Sequence, residues 1–219
     1  MCDIILFDLD GTLSFSDEGI TNCVKYALES FGINETDYKK LLLFIGPPLK
    51  DGFMEYYGFD EEKAIKAVNK YRERYAVKGY LENRIVPGIC DTLKTLKDSG
   101  AKIVLATSKP IEFSLKILKI FEIYDYFDEF VGAEMHGKLN EKKDIIAEVI
   151  RRIGEDKKNR MIMVGDRKMD ILGAKENGIK SIGVSYGYAP AGELEAAGAD
   201  YIANSAEDIT KIVFDLKER

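Results

Sequence analysis

Asp8 and Asp10 stand directly after the apolar run Ile4-Ile5-Leu6-Phe7 and are followed by Gly11 and Thr12. In an extended segment alternate residues share a side, so the two carboxylates face the same way. Carboxylates held that close repel, and both stay ionised only beside a cation. Core packing gives no reason to end a buried strand in this manner. The plain alternative is a surface turn with two solvated aspartates. The chemistry such a pair suits is metal-assisted, with one carboxylate attacking and its neighbour handling protons.

Two further apolar runs end in polar clusters. Lys102-Ile103-Val104-Leu105-Ala106 leads into Thr107 and Ser108, and Arg160-Met161-Ile162-Met163-Val164 leads through Gly165 into Asp166 and Asp170. Several carboxylates without a Cys or His cluster make an oxygen-ligand site, which favours a hard cation such as Mg²⁺. Asp8 and Asp166 are the natural side-chain ligands. Asp170 lies one helical turn beyond Asp166, where a helix N-terminus would also favour its charge. Thr107 offers a hydroxyl, and Ser108 a hydroxyl and a backbone N–H, at a place read as the start of a helix and suited to an anion, or else to simple capping. Lys138, Lys142 and Lys143 are the candidate cations beside a phosphate. Arg167 and Lys168 read as solvated neighbours. A metal, a carboxylate nucleophile and anion-binding donors together suggest phosphoryl transfer.

Composition narrows the field. With 219 residues the chain can bury a sizeable core, and its net charge of −6, with both signs interspersed, disfavours nucleic acid or an anionic membrane as partner. No apolar run approaches the roughly 20 residues of a membrane span, and Met1-Cys2-Asp3 lacks the basic start of a signal peptide. Cys2, Cys23 and Cys90 are widely spaced and form no CxxC pair, which fits reduced thiols and a cytoplasmic location. His136 is the only histidine, so a multi-histidine zinc site is excluded, and it reads as a surface residue.

The elements that must position these residues alternate. Between Ser14 and Leu81 there is no strand pattern. Ile20, Cys23, Val24, Ala27, Leu28 and Phe31 form one apolar helical stripe closed by Gly32. Thr36 is a candidate cap for a second helix, broken at Gly46-Pro47-Pro48; a third covers Lys50 to Tyr57, and a fourth runs from Asp60 to about Lys78. Residues 85–88 read as a turn. Strands and helices then alternate to the end, which argues for a parallel sheet covered by helices on both faces. In such sheets ligands bind beyond the carboxyl ends of the strands, near the point where strand order reverses. The expected organisation is an α/β, Rossmann-like core of residues 1–13 and 85–219 with an inserted α-helical cap of residues 14–84.

The chain resembles a haloacid dehalogenase-like phosphohydrolase of the branch holding phosphoglycolate phosphatases and 5′-nucleotidases. The resemblance rests on Phe7-Asp8-Leu9-Asp10-Gly11-Thr12-Leu13, Ala106-Thr107-Ser108-Lys109-Pro110, a lysine before Asp144-Ile145-Ile146, and Val164-Gly165-Asp166-Arg167-Lys168-Met169-Asp170. It implies that Asp8 is a nucleophile forming an aspartyl-phosphate, and that Asp10 protonates the leaving oxygen and later activates water. It implies Mg²⁺ held by Asp8, the Asp10 backbone carbonyl and Asp166, with Asp170 close behind. Thr107 and Lys142 would hold the phosphoryl oxygens, with Ser108, Gly11 and Thr12 beside them. Many relatives follow this lysine with proline; here Lys143 follows. The helical block resembles the family's mobile cap, hinged near Ser14-Phe15-Ser16 and Leu81 to Arg84, and its Pro47 and Lys50 match a substrate-reading loop. Lys50 and Arg72 are candidates to touch a second substrate anion, with an ordinary surface role the favoured reading of each.

The expected activity is hydrolysis of a small phosphorylated metabolite, by a monomer or homodimer. A sugar-phosphate mutase on the same core is the nearest rival, and a non-catalytic phosphate- or Mg²⁺-binding regulator is the alternative from another class. A dehalogenase would leave Asp10 and Asp166 unexplained.

Overall fold

The run Ile4–Phe7 forms the first strand, β1, and all four of its side chains are buried, as a strand covered on both faces requires. The computed structural model describes residues 2–134 and 139–217, so His136 and Lys138 lie outside the described residues. The strands that follow are β2 (Ser14–Phe15), β3 (Arg84–Ile85), β4 (Lys102–Pro110), β5 (Glu129–Ala133), β6 (Met161–Gly165), β7 (Lys180–Val184) and β8 (Tyr201–Ala203). The helices are α1 (Asp17–Glu29), α2 (Tyr38–Leu42), α3 (Leu49–Tyr57), α4 (Glu61–Tyr75), α5 (Ile89–Asp98), α6 (Ile111–Ile120), α7 (Lys142–Ile153), α8 (Lys168–Glu176), α9 (Glu193–Ala197) and α10 (Ala206–Lys217). Two compact units result: Met1–Ser14 with Ile85–Arg219, and Phe15–Arg84.

In the first unit six strands form a parallel sheet in the order β5-β4-β1-β6-β7-β8. Strand order reverses at β1, which lies between β4 and β6. The register aligns Phe7 with Leu105 on one side and with Val164 on the other. The residues just past these three positions therefore share one edge, the place where such sheets bind ligands. One face of the sheet packs on α7, whose Ile145, Ile146, Val149, Ile150 and Ile153 meet Ile4, Leu6, Val104 and Met163. Each such side chain contributes roughly 1.5–3 kcal/mol of burial, which makes the strand ends a rigid platform.

The second unit is built from α1 to α4. Phe44, Phe53 and Phe59 form its aromatic centre, with ring centroids 4.9 and 6.0 Å apart in successive pairs. Gly52 makes the first contact possible, because a Cβ there would meet the Phe44 ring at 2.8 Å.

Several local expectations are corrected. β2 and β3 are two-residue strands that pair with each other, where the sequence shows no strand and a turn; elements so short leave no periodic signal. The cap of α2 is Asp37 rather than Thr36, its carboxylate accepting from the N–H groups of Lys39 and Lys40 at 2.9 and 3.3 Å. α4 stops at Tyr75, short of Lys78. Most consequentially, β4 runs on to Pro110, so Thr107 and Ser108 are strand residues and not the start of a helix. The cause is its partner: β5 continues to pair past Ala106, matching Thr107 with Gly132 and, after a register shift, Pro110 with Ala133.

Candidate active site

Asp8 follows the last residue of β1, and its N–H donates to the Val164 carbonyl of β6 at 2.9 Å, tying it to the neighbouring strand. The chain then turns sharply: the N–H groups of Thr12, Leu13 and Ser14 all converge on the Leu9 carbonyl. Gly11 makes this turn with φ of 79°, a conformation open to glycine at little cost. Asp166 follows β6 directly, and Asp170 sits in the first turn of α8, where its Oδ2 accepts from the Arg167 N–H at 3.0 Å. Carboxylate oxygens of Asp8, Asp166 and Asp170 all lie within 4.8 Å of one another. All three residues are buried.

Lys142 opens α7 and is 6% exposed. Its Nζ lies 2.7 Å from Asp8 Oδ1 and 2.9 Å from Asp170 Oδ1, and donates to the Ala106 carbonyl at 3.0 Å. Burial by itself would pull its pKa down; the carboxylates of Asp170 and Asp8 outweigh that and hold it above the usual lysine range. Lys143 pairs instead with exposed Glu141 at 3.0 Å.

Electrostatic strain is concentrated on the two deepest acids. Burial raises the Asp166 pKa well above the carboxylate norm, and the charges of Asp170 and Asp8 push it further. Asp170 is pushed up to about 6, by burial first, with Lys142 acting against it. Asp166 Oδ1 is buried and has no hydrogen-bond partner among the described residues. Its Oδ2 accepts from the Tyr188 N–H at 2.7 Å. Glycines wall this carboxylate in: a Cβ at Gly11 would fall 2.0 Å from Asp166 Oδ2, and one at Gly187 would fall 2.3 Å from Asp166 Cβ. Among the described residues Lys109 pairs with Asp10 and Lys142 with Asp8 and Asp170, and the charge of Arg167 also acts on Asp166, so acidic groups outnumber the lysines paired with them. An all-oxygen donor set, an unpartnered buried carboxylate oxygen and that surplus of acidic groups fit one hard divalent cation.

Thr107 is 1% exposed, and its Oγ1 accepts from the Lys109 N–H at 3.2 Å; Ser108 is half-buried. Thr12 is fully buried, with its carbonyl accepting from the Tyr186 hydroxyl at 3.0 Å. Pro47 and Lys50 belong to the helical unit, where Lys50 pairs with Glu61 at 3.0 Å. Arg72 lies on α4. Arg167 is half-buried and pairs with Glu193 at 2.9 Å, so it is not the freely solvated neighbour its position suggested.

Two contributors were missed from sequence. Lys109, 8% exposed, places Nζ 2.9 and 2.8 Å from the two carboxylate oxygens of Asp10. Period-two continuation of the Lys102–Ala106 run puts it on the side of Thr107, and reading a helix start there hid it. The Tyr186-Gly187-Tyr188 loop follows β7, whose end lies beside that of β6. A glycine between two aromatic residues after a fourth apolar strand was the available signal.

A buried carboxylate cluster at the switch point of a parallel sheet, with lysines on its acids, is a site that could hold a metal ion on an α/β fold. The family model described as haloacid dehalogenase-like hydrolase matches residues 5–184. A 5′-nucleotidase from Pseudomonas aeruginosa is 44% identical over 192 residues, spanning 88% of this chain and 86% of its own. The tyrosine-protein kinase PtkA of Mycobacterium tuberculosis is 30% identical over 203 residues, 93% of this chain and 69% of that one. The crystal structure of a predicted phosphatase from Clostridium acetobutylicum matches with a TM-score of 0.93 and 46% identity, over 98% of this chain and 99% of that one. The chain belongs to the haloacid dehalogenase-like hydrolases. Within that family, the phosphatase names of its relatives support a phosphoric monoester hydrolase.

Proposed function

We propose that this protein is a Mg²⁺-dependent phosphatase acting on a small phosphate monoester, of the phosphoglycolate or nucleoside monophosphate type, through an aspartyl-phosphate on Asp8. The observation that carries this reading is the Asp8 carboxylate itself, 2.7 Å from the buried Lys142 ammonium and within 4.8 Å of ligand oxygens on Asp166 and Asp170. Mg²⁺ held by Asp8, Asp166 and the Asp10 carbonyl, with Asp170 behind, would supply the positive charge that lets an anionic ester approach an anionic nucleophile.

An Asp8 oxygen then bonds to phosphorus as the bond from phosphorus to the ester oxygen breaks, and Asp10 gives its proton to that oxygen, releasing the alcohol. Next, a water oxygen bonds to phosphorus and passes a proton to Asp10. The bond from phosphorus to Asp8 breaks, and inorganic phosphate leaves with both aspartates restored. Lys142, Thr107 and Ser108 offer donors to the phosphoryl oxygens, beside Gly11 and Thr12. Substrate choice falls to the helical unit, with Pro47 and Lys50 as its readers.

The test is phosphate release from a panel of monoesters. Turnover is expected only with Mg²⁺, and Asp8→Asn should lower it by about 10⁴-fold or more while abolishing covalent phosphate on acid-quenched protein. Undiminished release in that variant removes the nucleophile. Isomerisation of a sugar phosphate outrunning release would mark a mutase, and tight binding without turnover a regulator.

A further inference from the structure

We infer that Lys109 is a positioning residue of the reaction, fixing the Asp10 carboxylate from the protein side so that it faces the leaving-group oxygen. This rests on the phosphatase reading above, in which Asp10 delivers a proton to that oxygen. The two buried lysines divide the acids between them. Lys142 serves Asp8 and Asp170, whereas Lys109 reaches both oxygens of Asp10, at 2.9 and 2.8 Å. An ammonium that meets both oxygens holds the plane of the ionised carboxylate as well as its place, and a proton taken up by Asp10 displaces the ammonium from one oxygen, which is then the one that faces the leaving group.

Burial gives the pair a direction. The Lys109 side chain is 5% exposed and that of Asp10 is 18% exposed, so the lysine is the inner partner and the carboxylate the outer one. The backbone prepares this arrangement. β4 stays extended beyond Thr107, which sets residues 107 and 109 on one side, and its register against β5 shifts between Thr107 and Pro110. The Lys109 N–H also donates to Thr107 Oγ1, coupling the lysine's backbone to a second residue of the site. A helix beginning at Thr107 would have turned the Lys109 side chain away. An ammonium this deep is tolerated only with a charged partner, and Asp10 supplies it.

The experiment compares two monoesters with Mg²⁺ present: an alkyl phosphate, whose alkoxide leaves only when protonated, and 2,4-dinitrophenyl phosphate, whose phenolate leaves unaided. The readout is kcat/KM, which reports the steps up to loss of the leaving group. Lys109→Met should lower it about 100-fold for the alkyl ester, the scale of a displaced proton donor, and by less than about 5-fold for the dinitrophenyl ester, where proton donation contributes little. In an Asp10→Asn background, Lys109→Met should add no further loss for the alkyl ester. Lys109→Gln carries the same test if the Met variant does not fold. Equal losses for both esters, or additive losses in the double variant, overturn the assignment while leaving the phosphatase reading intact. No release from either ester by the unsubstituted protein overturns that reading itself, and the assignment with it.

Discussion

The acids of this site are set against one another by burial. Asp170 shows the consequence most directly. Its carboxyl has an ordinary pKa of 3.8 and sits at about 6 in the folded protein, chiefly through desolvation. A carboxyl whose folded pKa is raised contributes stability that is complete below the unfolded pKa and is lost as pH rises through the folded one. For Asp170 that window runs from about pH 4 to just above 6. Asp166 acts in the same sense, its pKa raised by burial and by the charges of Asp170 and Asp8. Asp170→Asn removes one titrating group and some of the repulsion on the others. Denaturant unfolding in EDTA should therefore show the variant gaining on the unsubstituted protein as pH rises from 4 to 7. A difference that stays flat over that range would mean that Asp170 is not strained in the folded state.

Turns at the ends of β1, β6 and β7 bring the acids together, and glycine is what lets those turns meet. Gly11 and Gly187 both press on Asp166, and a Cβ at Gly187 would also meet the Gly11 carbonyl at 2.7 Å. Gly187→Ala must therefore move backbone or displace the Asp166 carboxylate. The expected result is a loss of about 1–3 kcal/mol of stability, as for other overpacked sites, together with weaker Mg²⁺ binding by titration. Wild-type affinity and stability would show that the loop yields freely. The same elements explain what could be read in advance. Asp8, Asp166 and Asp170 were legible because each follows an apolar run, and a parallel sheet gathers strand ends at one edge. Residue type alone left Lys138, Lys142 and Lys143 open, and only the family resemblance singled out Lys142, whose ammonium lies against Asp8 and Asp170. Lys109 was not legible, because nothing local tells where β4 stops: β5 decides it by pairing as far as Pro110. The role of Gly187 was hidden for a like reason, since its neighbour Asp166 is 21 residues away in sequence and is met only through the pairing of β7 with β6. The short strands β2 and β3 had too few residues to carry a pattern.

For the molecule as a whole, the surplus of acidic groups lies where the first strand and the sixth are neighbours, so whatever neutralises it joins segments far apart in the chain. Asp8 and Asp166 come within 4.8 Å only when the sheet is assembled in the order β4-β1-β6. An unfolded chain holds no such cluster, and a ligand that binds the native state alone stabilises it by mass action. Four acids against two paired lysines give a surplus of acidic groups, which one divalent ion would offset. Mg²⁺ at a hundredfold excess over its dissociation constant should then add about 2.7 kcal/mol, which for a chain of this size raises the melting temperature by about 5–10 °C. Asp166→Asn should reduce that rise to less than about 2 °C, since it removes the acid whose Oδ1 has no other partner among the described residues. Scanning calorimetry with Mg²⁺, with Na⁺ at matched ionic strength and with EDTA separates site binding from screening of the net charge of −6. An equal rise in the variant, or one reproduced by Na⁺, would locate the effect on the surface and leave the carboxylate cluster without its ion.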